Sequence, residues 1–259
     1  MLKVKVCVIR TAGTNCDKET AFAFSKTGAQ AELVHINNFI QHKSVLSDYQ
    51  ILALPGGFSY GDDIASGKVF ANELKNKLEE ELRKFVADGK LIIGICNGFQ
   101  ILVKSGLLPG NNDFTQETSL IINDSGKFED RWVYLKSSGK CVWTKNLPEV
   151  IYLPVAHGEG KFIVKDKPVL NRLKANKQIV FKYCNAQGES SGYPDNPNGS
   201  LDDIAGITDA TGRILGLMPH PERHIEIHQH PRWFNLKNKK EGDGLTIFKN
   251  GVEYARKIL

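Results

Sequence analysis

Through the first hundred residues, short apolar runs alternate with longer stretches in which apolar positions recur every three or four residues. Residues 5–9, 31–36, 51–54 and 91–95 read as strands. Between them, Asp17 is placed to cap a helix whose apolar face includes Phe22 and Phe24 and which Gly28 ends. A long helix is predicted over residues 72–87, with Phe70, Leu74, Leu78, Leu82 and Phe85 on one face and Glu and Lys on the other. Repeated strand-helix-strand order predicts an α/β fold with an open, doubly wound, mostly parallel sheet. From about residue 112 to 182 the rhythm changes. Residues 119–123, 132–135, 150–155 and 161–164 are short, partly alternating and separated by Gly, Asn and Ser, which predicts additional antiparallel strands packed onto one side of the sheet. A polar loop with two prolines covers 188–200, a hairpin-like pair of strands covers 204–208 and 214–218, a polar stretch covers 226–241, and residues 245–258 close the chain as an amphipathic helix.

The run Leu91-Ile92-Ile93-Gly94-Ile95 is almost wholly apolar, as a strand covered on both faces must be, and it leads into Cys96-Asn97-Gly98-Phe99-Gln100. Gly94 and Gly98 flank Cys96 two residues to either side, where a sharp strand-to-helix turn crowds its neighbours. This is the arrangement of a nucleophile elbow, with sulfur in place of oxygen. A helix N-terminus favours the thiolate, so Cys96 is the candidate nucleophile. Such a nucleophile needs a base, and the base needs something to orient it. His220 follows a second covered strand and sits in Pro219-His220-Pro221-Glu222, where two prolines predict a rigid loop. Glu222, two residues on in an extended segment, falls on the same side as His220 and is placed to accept from one imidazole nitrogen. Both motifs lie at the carboxyl ends of predicted parallel strands, the edge at which open α/β sheets gather their sites.

Pro55-Gly56-Gly57-Phe58 follows the third strand, and its glycines allow close backbone approach to a ligand. The Gly57 N–H, with the N–H of Asn97 after the nucleophile, forms a candidate oxyanion hole. Gly61-Asp62-Asp63 admits the plainer role of capping the next helix. Phe58 and Gln100 are candidates for shaping a pocket. His157 is a poorer base candidate than His220, because its carboxylate neighbour Glu159 sits in a Gly-rich turn. His224, His228 and His230 lack the neighbouring cysteine or helical context of a metal centre, and no metal site is proposed.

With its elbow Gly94-Ile95-Cys96-Asn97-Gly98-Phe99-Gln100 and its later His220-Pro221-Glu222, the chain resembles the class I (triad) glutamine amidotransferases. Within them it is most similar to the glutaminase subunits of phosphoribosylformylglycinamidine synthases. Gly13-Thr14-Asn15-Cys16-Asp17, Pro55-Gly56-Gly57-Phe58-Ser59-Tyr60-Gly61-Asp62, Ala156-His157-Gly158-Glu159-Gly160 and Asn196-Pro197-Asn198-Gly199-Ser200 carry the closer match across nearly the whole chain. The resemblance implies a flavodoxin-like class I glutaminase fold and hydrolysis of L-glutamine through a Cys96 thioester, with His157 and Gly158 near the glutamine pocket. It also implies a synthetase subunit that uses ATP and magnesium to convert formylglycinamide ribonucleotide to its amidine, with a small bridging subunit. No cofactor is expected in this chain, which has no G-x-x-x-x-G-K-[ST] loop. The chemistry of the 196–200 signature does not follow from its residue types.

Composition narrows the reading further. A chain of 259 residues, 41% hydrophobic and 24% charged, fits one domain over 1–259 of ordinary globular character. The net charge of +5 is spread thinly, which argues against a nucleic-acid partner, and the one dense basic cluster, residues 237–240, reads as a solvated loop. The N-terminal alternation is that of a strand and not of a signal peptide, and no run is long enough to span a membrane. Five cysteines at irregular spacing, with no C-x-x-C pair, fit a reducing, cytoplasmic setting. A glutaminase serving another acceptor and a non-catalytic scaffold subunit are the rival readings.

Overall fold

The computed structural model describes residues 3–110, 113–138, 141–236 and 239–258. Met1, Leu2 and Asn112, together with Lys237 and Asn238 of the basic cluster, lie outside the described residues. The elements, in order, are β1 (Lys5–Arg10), α1 (Asp17–Lys26), β2 (Gln30–His35), α2 (Ile36–Ile40), β3 (Ile51–Leu54), α3 (Lys68–Lys77), α4 (Glu79–Ala87), β4 (Leu91–Ile95) and α5 (Asn97–Ser105). There follow β5 (Thr118–Ile121), β6 (Glu129–Ser137), β7 (Val150–His157), β8 (Lys161–Val164), α6 (Lys167–Ala175), β9 (Ile179–Cys184), β10 (Ile204–Thr208), β11 (Ile214–Leu217) and α7 (Leu245–Ile258).

One nine-stranded sheet runs in the order β2-β1-β3-β4-β11-β10-β9-β6-β7. Its first five strands pair in parallel, and the other four pair antiparallel. Because β2 lies to one side of β1 while β4 lies beyond β3 on the other, right-handed crossovers send α1 and the α3–α4 pair to opposite faces. Every residue of β3, β4 and β11 is buried, which is why these strands read as unbroken apolar runs. The two helical layers close over them. Phe24 of α1 meets Phe248 of α7 edge to face at 4.9 Å, and Phe99 of α5 stacks on Phe162 of β8 at 6.1 Å.

Four features depart from the pattern read in the sequence. The long helix is two helices, broken at Leu78 (φ −132°), although Phe70, Leu74, Leu78, Leu82 and Phe85 are all buried. The charges suit the break, since Lys75 and Lys77 end α3 and Glu79, Glu80 and Glu81 begin α4, each matching the local helix dipole. Phe22 is 56% exposed and only Phe24 faces the core, while Asp17 is the first helical residue and no side chain caps α1. Antiparallel strands β6, β7 and β9 extend the main sheet by hydrogen bonding instead of packing onto its face, and among the described residues only the β5–β8 pair forms a separate sheet, lying against α5. Finally, the chain after His220 forms a 3-10 turn over Pro221–Arg223 where an extended segment was expected.

The register puts three loops at one level. Leu54 pairs with Gly94, Gly94 with Gly216, and Ile95 with Leu217, so β3, β4 and β11 emerge side by side from the same edge. Gly56, Cys96 and His220 lie just beyond those ends. The far edge then curls back over them. His220 N–H donates to Pro154 O at 2.8 Å, so β7, last in the sheet order, lies against the loop that leaves β11.

Candidate active site

Cys96 sits at φ 52°, ψ −107°, a left-handed backbone rarely taken by a residue with a side chain. Such a residue costs about 1–3 kcal/mol and persists only where its surroundings hold it. Here Cys96 N–H donates to Leu217 O at 2.8 Å, and its carbonyl accepts from Phe99 N–H and Gln100 N–H, the first bonds of α5. A side chain at Gly98 would meet Leu54 O at 1.9 Å, and one at Gly94 would meet Leu102 Cδ1 at 2.5 Å. The two glycines flanking the cysteine therefore let α5 descend directly onto β3 and β4.

His220 Nδ1 lies 2.6 Å from Glu222 Oε1, and both side chains are buried to within 1%. Around the backbone of Gly56, three further groups converge. A Cβ there would stand 2.8 Å from His220 Cε1, 3.1 Å from Cys16 Sγ and 3.4 Å from Cys96 Cβ. The structure thus brings Cys96, His220 and Glu222 together. His220 Nε2 is fully buried and makes no hydrogen bond of regular geometry. Burial opposes a charge on this imidazole, whereas the Glu222 carboxylate, then the Cys96 and Cys16 sulfurs, favour it, and the balance holds His220 well above the ordinary imidazole range.

Nothing in the sequence marked Cys16 for this place. Its thiol is buried, donates to Asn15 Oδ1 at 3.2 Å and accepts from Arg223 Nη2 at 3.1 Å. Burial pushes it up to about 11, so Cys16 stays a neutral thiol beside the imidazole. Cys16, Glu19, His220 and Glu222 offer ligand atoms within 4.8 Å of one another. The guanidinium of Arg223, which bonds both Cys16 and Glu19, sets a fixed positive charge against that cluster and disfavours a cation there. His224, one of the three downstream histidines, is instead committed through Nδ1 to Tyr152 O at 2.8 Å.

The Gly57 and Asn97 amides have no acceptor among the described residues. A Cβ on Gly57 (φ 136°) would lie 2.7 Å from Asn15 N, so this loop is pressed onto residues 13–15. The Asn97 side chain is fixed from three directions. Its Oδ1 accepts from Ser59 Oγ at 2.6 Å, and its Nδ2 donates to Asp62 Oδ1 at 3.1 Å and to Gln100 Oε1 at 3.0 Å. Asp62 also accepts from Gly67 N–H at 3.0 Å, so it ties the elbow to the turn before α3 as well as ordering that turn. Burial raises the Asp62 carboxyl above its usual range, and hydrogen bonds from Gly67, Ser66 and Asn97 oppose that.

Gln100 spends both ends of its amide inside the protein, since its Nε2 donates to Glu159 O at 2.7 Å. This bond pins the 157–160 turn to α5. The Glu159 carboxylate is held by Ser66 N–H and by Lys104, 3.8 Å away. Cys96 Sγ lies 3.7 Å from Ala156 O, one residue before His157. Phe58, 46% exposed, tilts against Phe128 at 6.4 Å, and Phe128 Cδ2 would be 3.9 Å from a Cβ on Gly158, so these three residues share a rim. His157 is buried, and its ring nitrogens face amides. Burial first, then the charge of His220, lower it to about 4.

A strained cysteine, a buried histidine-carboxylate pair and two open backbone amides at the carboxyl edge of a sheet define the class of a cysteine hydrolase of α/β type. Residues 3–255 match the CobB/CobQ-like glutamine amidotransferase domain, and the chain belongs to this family. The chain is 50% identical over 261 residues to phosphoribosylformylglycinamidine synthase subunit PurQ of Dehalococcoides mccartyi, covering 100% of each. It is 47% identical over 274 residues to the subunit of the same name from Methanococcus maripaludis, covering 99% of this chain and 100% of that one. Among solved structures it is similar to PurLQS from Thermotoga maritima, with a TM-score of 0.75, 32% identity, and 98% of this chain and 99% of that chain covered.

Proposed function

We propose that this chain is the glutaminase subunit of a phosphoribosylformylglycinamidine synthase. The observation that carries the reading is the convergence of Cys96 with the His220–Glu222 pair in a chain similar end to end to subunits of that name. Cys96 gives its proton to His220 Nε2 and attacks the side-chain carboxamide carbon of L-glutamine, while Gly57 N–H and Asn97 N–H receive the developing oxyanion. Glu222, on Nδ1, holds the imidazole with Nε2 toward the sulfur and stabilises its charged form. His220 returns the proton to the departing ammonia, then takes one from water, which attacks the glutamyl thioester and releases glutamate. Phe58, Gly158 and the turn held by Gln100 bound the glutamine pocket.

Ammonia released this way is useful only to a second active site. The similarity to PurLQS, whose name joins PurQ with further components, supports a synthetase partner. That partner uses ATP and magnesium to turn formylglycinamide ribonucleotide into its amidine, and a small third subunit bridges the two. The reading places the protein in the cytoplasm, consistent with five free thiols. Among the described residues no helix is long and apolar enough to cross a membrane.

The test is reconstitution with the synthetase subunit, supplying ATP, magnesium and glutamine. Formylglycinamide ribonucleotide is expected to yield its amidine and one glutamate per turnover. Glutamate release that couples to a different acceptor, and not to this one, would move the chain to another amidotransferase.

A further inference from the structure

The 196–200 turn takes no part in the chemistry above, yet Asn198 within it is completely buried. Its amide orientation follows from a group that can only donate. Ser200 N–H bonds to Asn198 Oδ1 at 3.0 Å, and Ser200 Oγ adds a second bond at 2.7 Å. Asn198 Nδ2 must therefore point the other way, where it meets His157 Nε2 at 3.4 Å and Tyr183 Oη at 3.1 Å. The same reasoning applies across the ring. Gly160 N–H donates to Asn123 Oδ1 at 2.9 Å, which makes that oxygen the acceptor for His157 Nδ1 at 3.2 Å. His157 accordingly carries its proton on Nδ1 and a lone pair on Nε2, and a second proton would meet an N–H donor head on.

The clamp is also steric. The imidazole packs onto Gly160, where a Cβ would fall 2.4 Å from Cε1 and Nδ1 and 2.8 Å from Asn198 Nδ2. Holding this ring holds the segment around it, including the Ala156 carbonyl 3.7 Å from Cys96 Sγ and the Glu159 carbonyl bonded to Gln100.

We propose that Asn198 is a positioning residue for glutamine hydrolysis, clamping His157 with Asn123 as its neutral Nδ1–H tautomer and so fixing residues 156–160 over the nucleophile. This rests on the glutaminase reading. The groups facing His157 agree with a neutral ring. His220 repels a second positive charge, the Tyr183 hydroxyl is already engaged with Asn198, and Glu129, opposite His157 in the β6–β7 register, is engaged with Arg131 and Ser125.

The test compares the full chain, in complex with its synthetase partner, as wild type, Asn198→Asp and Asn198→Ala. The imidazole nitrogen shifts of His157, assigned by their loss in His157→Gln, report the tautomer. The kinetic readout is kcat/KM for glutamine per site labelled at Cys96 by an electrophilic glutamine analogue. The wild-type ring is expected as neutral Nδ1–H at pH 7. Asn198→Asp keeps the bonds to Ser200 but opposes a carboxylate to Nε2, so the ring should become an imidazolium. Its kcat/KM per labelled site should fall roughly tenfold or more, with ammonia-dependent synthesis unchanged. Asn198→Ala, which frees the ring without charging it, should also lose kcat/KM per labelled site. A wild-type ring protonated on Nε2 overturns the proposal. So does unchanged kcat/KM per site in both variants, or a parallel loss of ammonia-dependent synthesis. If the wild type fails to hydrolyse glutamine, the glutaminase reading fails instead, and the nitrogen shifts still decide the clamp.

Discussion

His220 and His157 are both buried, one just beyond β11 and the other at the last position of β7 in the same sheet, and lie close enough for the charge of one to act on the other. Their proton affinities are nonetheless driven in opposite directions. His220 meets a carboxylate on Nδ1 and sulfur beyond Nε2, and its affinity rises. His157 meets an amide on each edge, and its affinity drops. Burial is common to the two rings and disfavours a charge on both, so the neighbours alone divide them. One ring is equipped to take a proton from a thiol and pass it on, and the other to stay neutral as a fixed spacer. The Gly-rich turn that sets His157 below His220 in the sequence is not what separates the two rings in the fold. Glu159, the carboxylate nearest His157 in sequence, is bound by Ser66 and Lys104, and the amides of Asn123 and Asn198 occupy the ring.

The sharpest way to break this contrast is to remove what His220 serves. Cys96→Ser in the assembled enzyme should lower glutamine-dependent synthesis by roughly a thousandfold or more while ammonia-dependent synthesis stays near wild type. Loss of both would show that Cys96 supports the fold or the docking and not the chemistry. Glu222→Gln comes next. An amide N–H presented to Nδ1 would favour the tautomer with its proton on Nε2, removing the lone pair that faces the sulfur. That exchange should cost roughly 100- to 10,000-fold in kcat with a much smaller change in KM, measured as glutamate release. A rate within threefold of wild type would mean that Glu222 does not set the tautomer.

What was legible before the structure was the local part of this arrangement. The elbow, the His-Pro-Glu turn and the glycine loop after β3 each announce themselves within a few residues, because a sharp turn demands particular residue types at fixed offsets. Neighbouring parallel strands then bring the three loops to one edge, a consequence of topology that repeating strand-helix order already implied. The parts that were not legible depend on long-range curvature. No spacing in the sequence says that β7, at the end of the sheet order, folds back to put Ala156 O beside Cys96. Cys16 reaches His220 only because residues 13–16 pack against Gly56 and Gly57, and a lone cysteine in an Asn-Cys-Asp string gives no sign of that. The 196–200 turn was recognisable as a signature yet silent about its role, since Asn198 acts on a ring 41 residues away.

The smallest expected effect uses stability and sets the two histidines against each other by sign. His220 has its proton affinity raised in the folded state, so its contribution is complete below the unfolded value near 6.5 and is lost as the pH rises through the folded value. His157 runs the other way. Its folded value of about 4 lies below the ordinary 6.5, so the unfolded chain binds the proton first, and stability is lost as the pH falls from about 6.5 to about 4. The full span corresponds to about 3 kcal/mol, an upper figure because neighbouring groups relax. In His157→Gln this acid-side loss should disappear while the carboxylates that titrate in the same range remain common to both proteins. The difference in unfolding free energy between wild type and variant, from urea titrations between pH 7.5 and pH 4, should therefore shrink steadily as the pH is lowered. A difference that stays constant over that interval would mean His157 is protonated as readily in the fold as outside it, and the contrast with His220 would then be one of position alone.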